Sequence, residues 1–420
     1  MARDARLRRD QADRRSGGGS GTADAARERP QLNAAVVLFT RDLRVHDHAG
    51  LDSAAREHDL VLPLFVFDDR LLARAGPARR GFLHAALADL RASLRAAGAD
   101  LIVRHGDPVA ETVRLARAHD ATAVCLADDA SAYAQRRRRE LEAAGLDVRR
   151  HDGIAAVPPG ALTPDGRDHY RVFTPYWRRW REEPTAAVLA PPRRLALPHG
   201  VDAGQLPRED GTGGERDARR RLTAWLAGGL HGYDAGRDVP AADATSHLSP
   251  YLHFGCLSAN EVVARARGEG PVADEFVRQL CWRDFYLQLL AANPKLETDD
   301  LHPREREWRD DRHALDRWRE GETGVAIVDA AMRQLRAEGW LGNRARLIVA
   351  GYLTKTLELD WRHGAALFAE LLVDADVANN VGNWQWVAGT GVDTRPHRGF
   401  SVDRQAKRFD PEGAYVSAYA

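Results

Sequence analysis

The sequence predicts a chain with two folded parts, an N-terminal doubly wound, Rossmann-like α/β domain and a C-terminal all-helical domain. In the first part, short apolar runs alternate with arginine- and alanine-rich helical stretches, as in a parallel sheet covered by helices on both faces. In the second part, apolar residues recur at helical spacing without an alternating strand pattern. We therefore expect an α/β domain over residues 33–156, a connector over 157–214 and a helical domain over 215–420.

Four apolar runs are predicted to form the buried strands of the sheet. The runs lie at 36–39, 60–67, 101–103 and 123–127, and the helices predicted between them include 79–97 and 109–119. No Gly-x-Gly-x-x-Gly pattern follows any of these runs, so the sequence does not predict a dinucleotide-binding loop in the sheet.

The connector is predicted from its proline and glycine content and from its weak periodicity. It contains one aromatic group, which consists of Phe173, Tyr176, Trp177 and Trp180. Beyond the connector, the apolar residues at 328, 331, 332 and 335 repeat at i, i+3, i+4 and i+7, which is the spacing of one apolar helix face.

Composition limits the classes of protein that the chain can belong to. Lys plus Arg and Asp plus Glu both number 61, so any nucleic-acid surface must be a local patch. The three cysteines, Cys125, Cys256 and Cys281, are too few for a disulfide framework or an iron–sulfur site and are expected to be buried thiols. No apolar run reaches the roughly 20 residues of a membrane span. We expect a cytoplasmic monomer with a disordered tail at 1–32 and no bound metal.

Residues 374–391, with the sequence DADVANNVGNWQWVAGTG, carry the most chemical information. Two acids are followed by amides and then by Trp384 and Trp386, a combination for which an ordinary packing helix has no use. A site that hydrogen-bonds a flat, nitrogen-rich ring and conducts electrons uses all of them. For any one of these residues a capped loop is the simpler interpretation, but the complete string favours a ring-binding site.

Five segments, in order along the chain, are similar to those of the DNA photolyase and cryptochrome family. They are FTRDLRVHDHAGL at 39–51, TSHLSPYLHFGCLSANEV at 245–262, WRDFY at 282–286, TGVAIVDAAMRQLRAEGWLGNRAR at 323–346, and the DADVANN and NWQW runs. The chain resembles most closely the class I-type deoxyribodipyrimidine photolyases. The resemblance implies light-driven repair of UV-damaged DNA, in which excited, reduced FAD donates an electron to a flipped cyclobutane pyrimidine dimer. It also allows a second antenna chromophore, a folate or a deazaflavin, in the α/β domain.

The residues that would bind FAD follow from these segments. Thr245, Ser246 and Ser249 offer hydroxyl and amide groups near a predicted helix start, where a diphosphate is favoured, although an ordinary serine cap would give the same pattern. The resemblance places an Arg346–Asp374 pair beside the ring, Asp376 at the ring edge or ribitol, and Asn380 opposite flavin N5. The complete predicted set is Tyr233, Thr245, Ser246, Ser249, Arg283, Asn343, Arg346, Asp374, Asp376 and Asn380.

Two further groups are implied by the resemblance. Trp384, Trp361 and Trp308 match the family's three-tryptophan path from the flavin to the surface and, with Gln279 and Asn380, form the predicted catalytic set. On the DNA side, Gln279, Trp282 and Arg283 fall on one helix face, and Trp282 matches the aromatic residue that stacks on the extruded bases. The predicted DNA-binding set is Arg237, Gln279, Trp282, Arg344 and Trp386.

Two departures from the family pattern leave alternatives open. Most enzymes that repair cyclobutane dimers have a glutamate at the position of Gln279 and a methionine at that of Leu347. Glutamine at this position is usual in (6-4) photolyases and animal-type cryptochromes. The alternatives are therefore repair of another photoproduct, such as the (6-4) lesion, a cryptochrome-like blue-light photoreceptor, or a plain electron-transfer flavoprotein.

Overall fold

The computed structural model of the chain describes residues 32–208, 211–303, 307–392 and 399–420. Apart from Leu32, the tail predicted at 1–32 lies outside the described residues. Within the described ranges, no helix is both long enough and apolar enough to cross a membrane. Cys125, Cys256 and Cys281 are buried free thiols, as the sequence predicts.

A five-stranded parallel sheet forms the N-terminal part, with the strand order β3-β2-β1-β4-β5. The strands are β1 (Ala34–Leu38), β2 (Leu60–Phe67), β3 (Ile102–His105), β4 (Ala121–Ala127) and β5 (Val148–His151). β1 pairs with β2 on one side and with β4 on the other, so the winding direction reverses between β1 and β4. This order confirms the predicted doubly wound fold, and β1 and β4 define its topological switch point.

Helices connect and cover the strands. They are α1 (Ala49–Glu57), α2 (Asp69–Leu72), α3 (Pro77–Ala96), α4 (Pro108–Ala118) and α5 (Ala132–Ala143). The start of α4 follows from its sequence, because the carboxylate of Asp107 accepts hydrogen bonds from the backbone N–H groups of Val109 (2.9 Å) and Ala110 (3.1 Å), and proline occupies the first helical position.

The predicted connector contains a helix that the sequence pattern did not reveal, α6 (Phe173–Trp180). Its buried residues Phe173, Tyr176 and Trp180 belong to the aromatic group predicted at this point. The rings of Phe173 and Tyr176 contact Phe285 at centroid distances of 5.6 and 5.5 Å. The aromatic group therefore fastens the connector to the helical part.

The rest of the described chain is helical, as the sequence predicts. The helices are α7 (Glu215–Ala227), α8 (Tyr233–Gly236), α9 (Ser249–His253), α10 (Ala259–Gly268), α11 (Asp274–Ala292), α12 (Arg312–Glu320), α13 (Ala326–Glu338), α14 (Asn343–Gly351), α15 (Trp361–Leu371), α16 (Val377–Ala388), α17 (Val402–Phe409) and α18 (Ala414–Ala418). A π-helical turn, Tyr352–Thr356, follows α14.

The sheet and the helices share one interior. A single apolar cluster contains Val37 and Phe39 from the sheet side together with Phe285 and Trp384 from the helical side. Residues 33–420 accordingly form one compact unit.

The segment after β1, which belongs to the FTRDLR motif, crosses between the two parts. The guanidinium of buried Arg44 donates hydrogen bonds to the carbonyl oxygens of Gly255 (3.0 Å), Gly153 (3.1 Å) and Asp47 (2.8 Å). Residues from the sheet part, the connector boundary and the helical part are thus held by one side chain. The motif has a structural role in addition to its value in recognising the family.

Candidate functional site

A cavity of about 460 Å³ lies among the C-terminal helices. This volume falls within the range of about 300–1,000 Å³ that is usual for small-molecule and cofactor sites. Every residue predicted to bind the cofactor lines the cavity, although the residues come from five helices and their flanking turns. The predicted residues on its wall are Tyr233, Thr245, Ser246, Ser249, Gln279, Trp282, Arg283, Asn343, Arg346, Asp374, Asp376, Asn380, Trp384 and Trp386.

The segment at 374–391 contains a helix, α16, although the sequence argued against an ordinary packing helix. Asp376 is the N-cap of α16, and its carboxylate accepts hydrogen bonds from the backbone N–H and the side-chain amide of Asn379, both at 2.8 Å. Asn379, Asn380 and Asn383 line the cavity. Gln385 lies in the core and donates to the carbonyl oxygens of residues 296 and 299. The polar residues of α16 therefore serve both the cavity and the packing of the helix.

Asn380 keeps hydrogen-bonding capacity for a ligand. Its side-chain N–H donates to the carbonyl oxygen of Ala365 at 2.9 Å. An amide has two N–H donors and one carbonyl oxygen, so a second donor and the acceptor remain once this bond is counted. This geometry is compatible with the predicted role opposite a ring nitrogen.

The predicted Arg346–Asp374 pair is formed. One terminal nitrogen of Arg346 lies 2.8 and 3.0 Å from the two carboxylate oxygens of Asp374, while Nε donates to the carbonyl oxygen of Leu341 at 2.9 Å. Burial alone would raise the pKa of Asp374, but the charge and hydrogen bond of Arg346, with a further hydrogen bond from Ser249, lower the pKa below its usual value. A fixed ion pair therefore lies on the cavity wall.

Asp376 has a partner that the sequence did not reveal, Arg41 from the loop after β1. The Arg41 guanidinium forms an ion pair with the Asp376 carboxylate and a second one with Asp129 at 3.2 Å. Burial would raise the pKa of Asp376, but the charges of Arg41 and Arg283 and the hydrogen bonds from Asn379 outweigh burial and lower the pKa. Because Arg41 and Asp376 are 335 positions apart, no local pattern could have predicted this contact.

The turn that precedes α9 was predicted to hold the phosphates. The helix begins at Ser249 with Pro250 in its first turn, as predicted, and it is five residues long. Three buried polar atoms on the cavity wall have no hydrogen-bond partner within the described part of the chain: Thr245 Oγ1, His253 Nδ1 and Trp340 Nε1. Because buried polar groups are normally paired, these atoms are available to hydrogen-bond a polar ligand.

His253 is held in its neutral form. Burial, followed by the nearby charges of Arg41 and Arg79, lowers the pKa of its imidazole to about 3. A neutral imidazole with an unpaired buried nitrogen can exchange a hydrogen bond with a ligand without adding charge to the site. The cavity volume, the unpaired polar atoms and the ionised acids together fit FAD, and His253 and Trp340 join the set that sequence reasoning missed.

The three predicted relay tryptophans lie at different depths. Trp384 and Trp361 are buried, with 2% and 0% exposure, whereas Trp308 is partly exposed. The indole of Trp384 fills the space above Gly364, where a Cβ atom would overlap it, and Trp361 lies three positions earlier on the same helix, α15. Trp361 Nε1 donates to Asp300 at 2.8 Å. Because Trp384 lies on the cavity wall and Trp308 is partly exposed, the two ends of the set are compatible with a path from the cavity to the surface.

A fourth tryptophan, Trp318, lies against Trp384 and was missed by the sequence analysis. The two rings meet edge to face, at a centroid distance of 6.2 Å and an interplanar angle of 78°. Trp318 is fully buried, and its Nε1 donates to the carbonyl oxygen of Val349 at 3.2 Å. Its signal in the sequence, one tryptophan in a charged amphipathic helix, is that of a core residue.

Three of the predicted DNA-binding residues share the cavity with the cofactor residues. Gln279, Trp282 and Trp386 line it, and Leu347, the second departure from the family pattern, lies on the same wall. Phe173 from the connector stacks on Trp282 almost in parallel, with ring centroids 3.6 Å apart and an angle of 6°. One face of the Trp282 indole is therefore covered by Phe173. A ligand ring must use the opposite face or an edge.

Two predicted DNA-binding arginines lie outside the cavity wall and are already engaged in ion pairs. Arg237 contacts Glu275 at 3.0 Å, and Arg344 contacts Asp238 at 2.9 Å. The Arg344 guanidinium also lies 4.0 Å from the centroid of the Phe409 ring. Their contact with phosphate stays a prediction.

The doubly wound sheet is joined to a helical part that surrounds one cofactor-sized cavity with acids, amides, hydroxyls and an indole, which is the arrangement of a protein that binds a nucleotide cofactor. Comparison with known families identifies it further. Residues 35–195 match the family model described as "DNA photolyase", and residues 276–420 match that described as "FAD binding domain of DNA photolyase". The chain belongs to the DNA photolyase family, and its cofactor is FAD.

Individual relatives cover nearly the whole chain. A deoxyribodipyrimidine photo-lyase of Streptomyces griseus is 47% identical over 92% of this chain and 89% of its own length. The crystal structure of a bacterial class III photolyase from Agrobacterium tumefaciens is similar with a TM-score of 0.86 and 33% identity, covering 94% of this chain and 88% of that one. A cryptochrome of Synechocystis gives a TM-score of 0.87 and 27% identity, with 92% and 88% covered.

Proposed function

We propose that the chain is a deoxyribodipyrimidine photolyase that uses light to split cyclobutane pyrimidine dimers in DNA. One observation carries the proposal: the residues suited to FAD and the aromatic residue suited to an extruded base line the same cavity. Trp282 and Asn380 both lie on its wall. The 47% identical Streptomyces griseus relative bears the name of this activity and supports the same conclusion.

The protein's contribution on the cofactor side is binding and fixed charge. Tyr233, Thr245, Ser246, Ser249 and Asn343 are proposed to hold the phosphates and ribose of FAD. The ion pair of Arg346 with Asp374 places a compensated charge at the ring, and Asn380 offers a neutral amide opposite it. When bound and reduced, FAD supplies the light-excited electron that opens the dimer.

On the lesion side, aromatic residues of the cavity wall are proposed to stack on the damaged bases after these bases have left the duplex and lost their stacking with neighbouring bases. Trp282 offers an indole face to the pyrimidines, and Trp386 lies on the same cavity wall. The Gln279 amide can donate a hydrogen bond to a pyrimidine carbonyl, but unlike a carboxylic acid it has no proton to transfer. We therefore expect Gln279 to stabilise charge on the dimer by hydrogen bonding alone.

Two groups outside the cavity complete the proposal. Trp384, Trp361 and Trp308 are proposed as a path along which an electron enters from the surface. Arg237 and Arg344 are proposed to contact the phosphates that flank the lesion, exchanging their acidic partners for phosphate oxygens. The arginine side chains are partly buried in these pairs, with 27% and 20% exposure, so each keeps some access to solvent and to a phosphate.

Three coarser features are part of the same proposal. The α/β domain is proposed to span 33–156, the connector 157–214 and the helical domain 215–420. A second chromophore, a folate or a deazaflavin, is proposed for the α/β domain. The protein is proposed to act as a monomer in a reducing cytoplasm, which suits its three buried free thiols.

A cryptochrome-like blue-light photoreceptor is the second candidate, and (6-4) repair is a variant of the first. Gln279 and Leu347, which line the cavity, differ from the pair usual in enzymes that act on cyclobutane dimers. Similarity to the Synechocystis cryptochrome extends over 92% of this chain. The presence of Trp282 beside the cofactor residues favours repair over signalling.

The decisive experiment is a repair assay on defined lesions. Purified protein carrying FAD is reduced, mixed with an oligonucleotide containing one cyclobutane thymine dimer, and illuminated. We expect light-dependent recovery of thymines, loss of this recovery in Trp282→Ala, and no recovery in the dark.

A parallel oligonucleotide with a (6-4) lesion separates the two repair activities. Recovery from this substrate alone would replace the proposed substrate. Absence of recovery from both, with FAD bound and reduced, would favour the photoreceptor.

A further inference from the structure

We propose that Arg41 is a positioning residue of the flavin site, which fixes the location and charge of the Asp376 carboxylate from the carboxyl end of the sheet. The inference rests on the proposed FAD site. It assigns a function at that site to the sheet part, from which no described residue lies on the cavity wall. Neither the motif that contains Arg41 nor the spacing of the acids indicated this role.

The contacts of Arg41 join three regions. Its two terminal nitrogens contact Asp129, which follows β4, and Asp376, which caps α16. Its Nε donates to the carbonyl oxygen of His253 at 3.2 Å. Arg41 itself follows β1, so the Arg41–Asp129 pair spans the switch point of the sheet, and the same guanidinium continues to the cavity.

The backbone around Arg41 is held as firmly as its side chain. Gly255 has a φ of +67°, and a Cβ atom at this position would overlap the carbonyl oxygen of Arg41. The N–H of Leu43 donates to the carbonyl oxygen of Phe254 at 3.1 Å. Because these two backbone segments are in contact, the backbone position from which the Arg41 side chain extends to Asp376 is fixed.

The contacts of Asp376 leave little freedom for its carboxylate. One oxygen accepts two hydrogen bonds from Asn379, and the other faces Arg41. An ionised carboxylate has about four acceptor positions, so these contacts leave about one for a ligand. Arg41 therefore determines in which direction Asp376 presents its remaining acceptor position.

Several other charged or titratable groups face this pair. Arg283 lies on α11, His253 at the end of α9, and Asp374 just before α16. From the sheet side, the negative charge of Asp129 partly balances the positive charge of Arg41. The positive charge of Arg79 lowers the pKa of His253. If Arg41 is removed, Arg283 is the remaining positive group that lowers the pKa of Asp376, and burial acts against it. Proton uptake by Asp376 then becomes easier.

The test is Arg41→Gln in the full-length protein with FAD, with Arg56→Gln as the matched control because Arg56 forms an exposed ion pair in the sheet part. We expect the FAD dissociation constant to rise about thirtyfold or more, which corresponds to the lower end of the cost of truncating one partner of a buried charge pair. The flavin absorption spectrum should gain a titration between about pH 4 and 7, where a buried carboxyl without its cation titrates. Arg56→Gln should show neither change.

Arg41→Gln combined with Asp376→Asn should lose the new titration, because the titrating group is removed. Asp129→Asn keeps Arg41 and should raise the dissociation constant less than Arg41→Gln does. If Arg41→Gln does not fold, Arg41→Lys keeps the charge without the two-sided geometry and should show weaker FAD binding without the titration.

Unchanged FAD affinity and an unchanged spectrum in a folded Arg41 variant would overturn the inference. These readouts are separable from the repair assay. A wild-type protein that binds FAD but repairs no lesion would contradict the proposed function and leave the Arg41 experiment interpretable. A wild-type protein that takes up no FAD would overturn both.

Discussion

Trp384 is the residue at which we expect electron supply and repair to be separable. It lies on the cavity wall and is almost completely buried. Trp384→Phe keeps an aromatic ring in the same space but raises the energy of a radical cation there. We expect photoreduction of the bound flavin to lose most of its rate. The rate is measured from the flavin absorption spectrum during illumination with blue light in the presence of a thiol donor.

Repair by chemically reduced Trp384→Phe should remain close to that of the wild type, because the electron then need not enter through the protein. Equal losses in photoreduction and in repair would contradict the relay assignment. Trp318→Phe is the matched control, since Trp318 contacts the same indole and is fully buried.

Phe173 is the connector residue that stacks on Trp282, the residue proposed to bind the lesion. Its ring lies 3.6 Å from that of Trp282, centroid to centroid. Phe173→Leu removes this stacking, which is worth about 0.5–1.5 kcal/mol, so binding of dimer-containing DNA should weaken by up to roughly tenfold. FAD content should not change, and Phe173→Tyr should restore binding. Lesion affinity unchanged in Phe173→Leu would show that Trp282 needs no support from the connector.

The sequence could identify site residues that are close to one another along the chain, but not those that reach the site from remote positions. Asp374, Asp376 and Asn380 lie within one short segment, so their shared polarity was visible. Arg41 and His253 reach the same site from remote parts of the chain, and their partners are fixed only by the fold. The three-tryptophan path came from resemblance, since a single tryptophan gives no local signal of electron transfer.

At the scale of elements, α15 and α16 pack closely because Gly364 has no side chain. A Cβ atom at this position would overlap the Trp384 indole. We expect Gly364→Ala to lower the free energy of unfolding by about 1–3 kcal/mol, as overpacking does, and to disturb Trp384. Urea denaturation and the photoreduction rate measure the two effects.

Gly268→Ala is the matched control for this substitution. Gly268 is the last residue of α10, and a Cβ atom there meets nothing within 4 Å. Its stability should stay equal to that of the wild type or rise slightly. Comparable destabilisation by both substitutions would mean that the loss does not arise from contact with Trp384, because Ala is the better helix former and helix propensity alone would stabilise both variants.

The elements themselves were predictable where burial was uniform. The run at 60–67 matches β2 because the strand is apolar along its whole length. β5 was missed because it carries two arginines and lies at the sheet edge, where its residues are only partly buried. α6 was missed because its eight residues lie in a proline-rich stretch, and its helical state depends on packing against Phe285.

At the scale of the whole molecule, Asp284 ties three regions together and makes stability depend on pH. Its carboxylate accepts hydrogen bonds from the backbone N–H groups of Ala156 (3.0 Å) and Val157 (2.9 Å) and from Trp180 Nε1 (3.0 Å). Burial raises the pKa of Asp284 to about 6, although Arg283 and these hydrogen bonds act in the opposite direction.

The sign of the effect follows from the raised pKa. Between the unfolded value of about 4 and the folded value of about 6, the folded protein binds the proton more tightly. This contribution is complete below about pH 4 and is lost as the pH rises through 6, and it amounts to roughly 3 kcal/mol at most. The free energy of unfolding should therefore change less between pH 4 and pH 7 in Asp284→Asn than in the wild type. Identical pH profiles for the two proteins would contradict the assignment.

The shared interior of the sheet and helices constrains how such a chain can be recombined. Phe82 of α3 stacks on Phe254, which follows α9, at a centroid distance of 5.0 Å. A chimaera that takes residues 33–156 from one relative and the remainder from another would join two apolar surfaces whose side chains are not complementary. Exchange between relatives should succeed only when both surfaces at this boundary are transferred together. We therefore expect the flavin site and the sheet that supports it to change together as homologous sequences diverge.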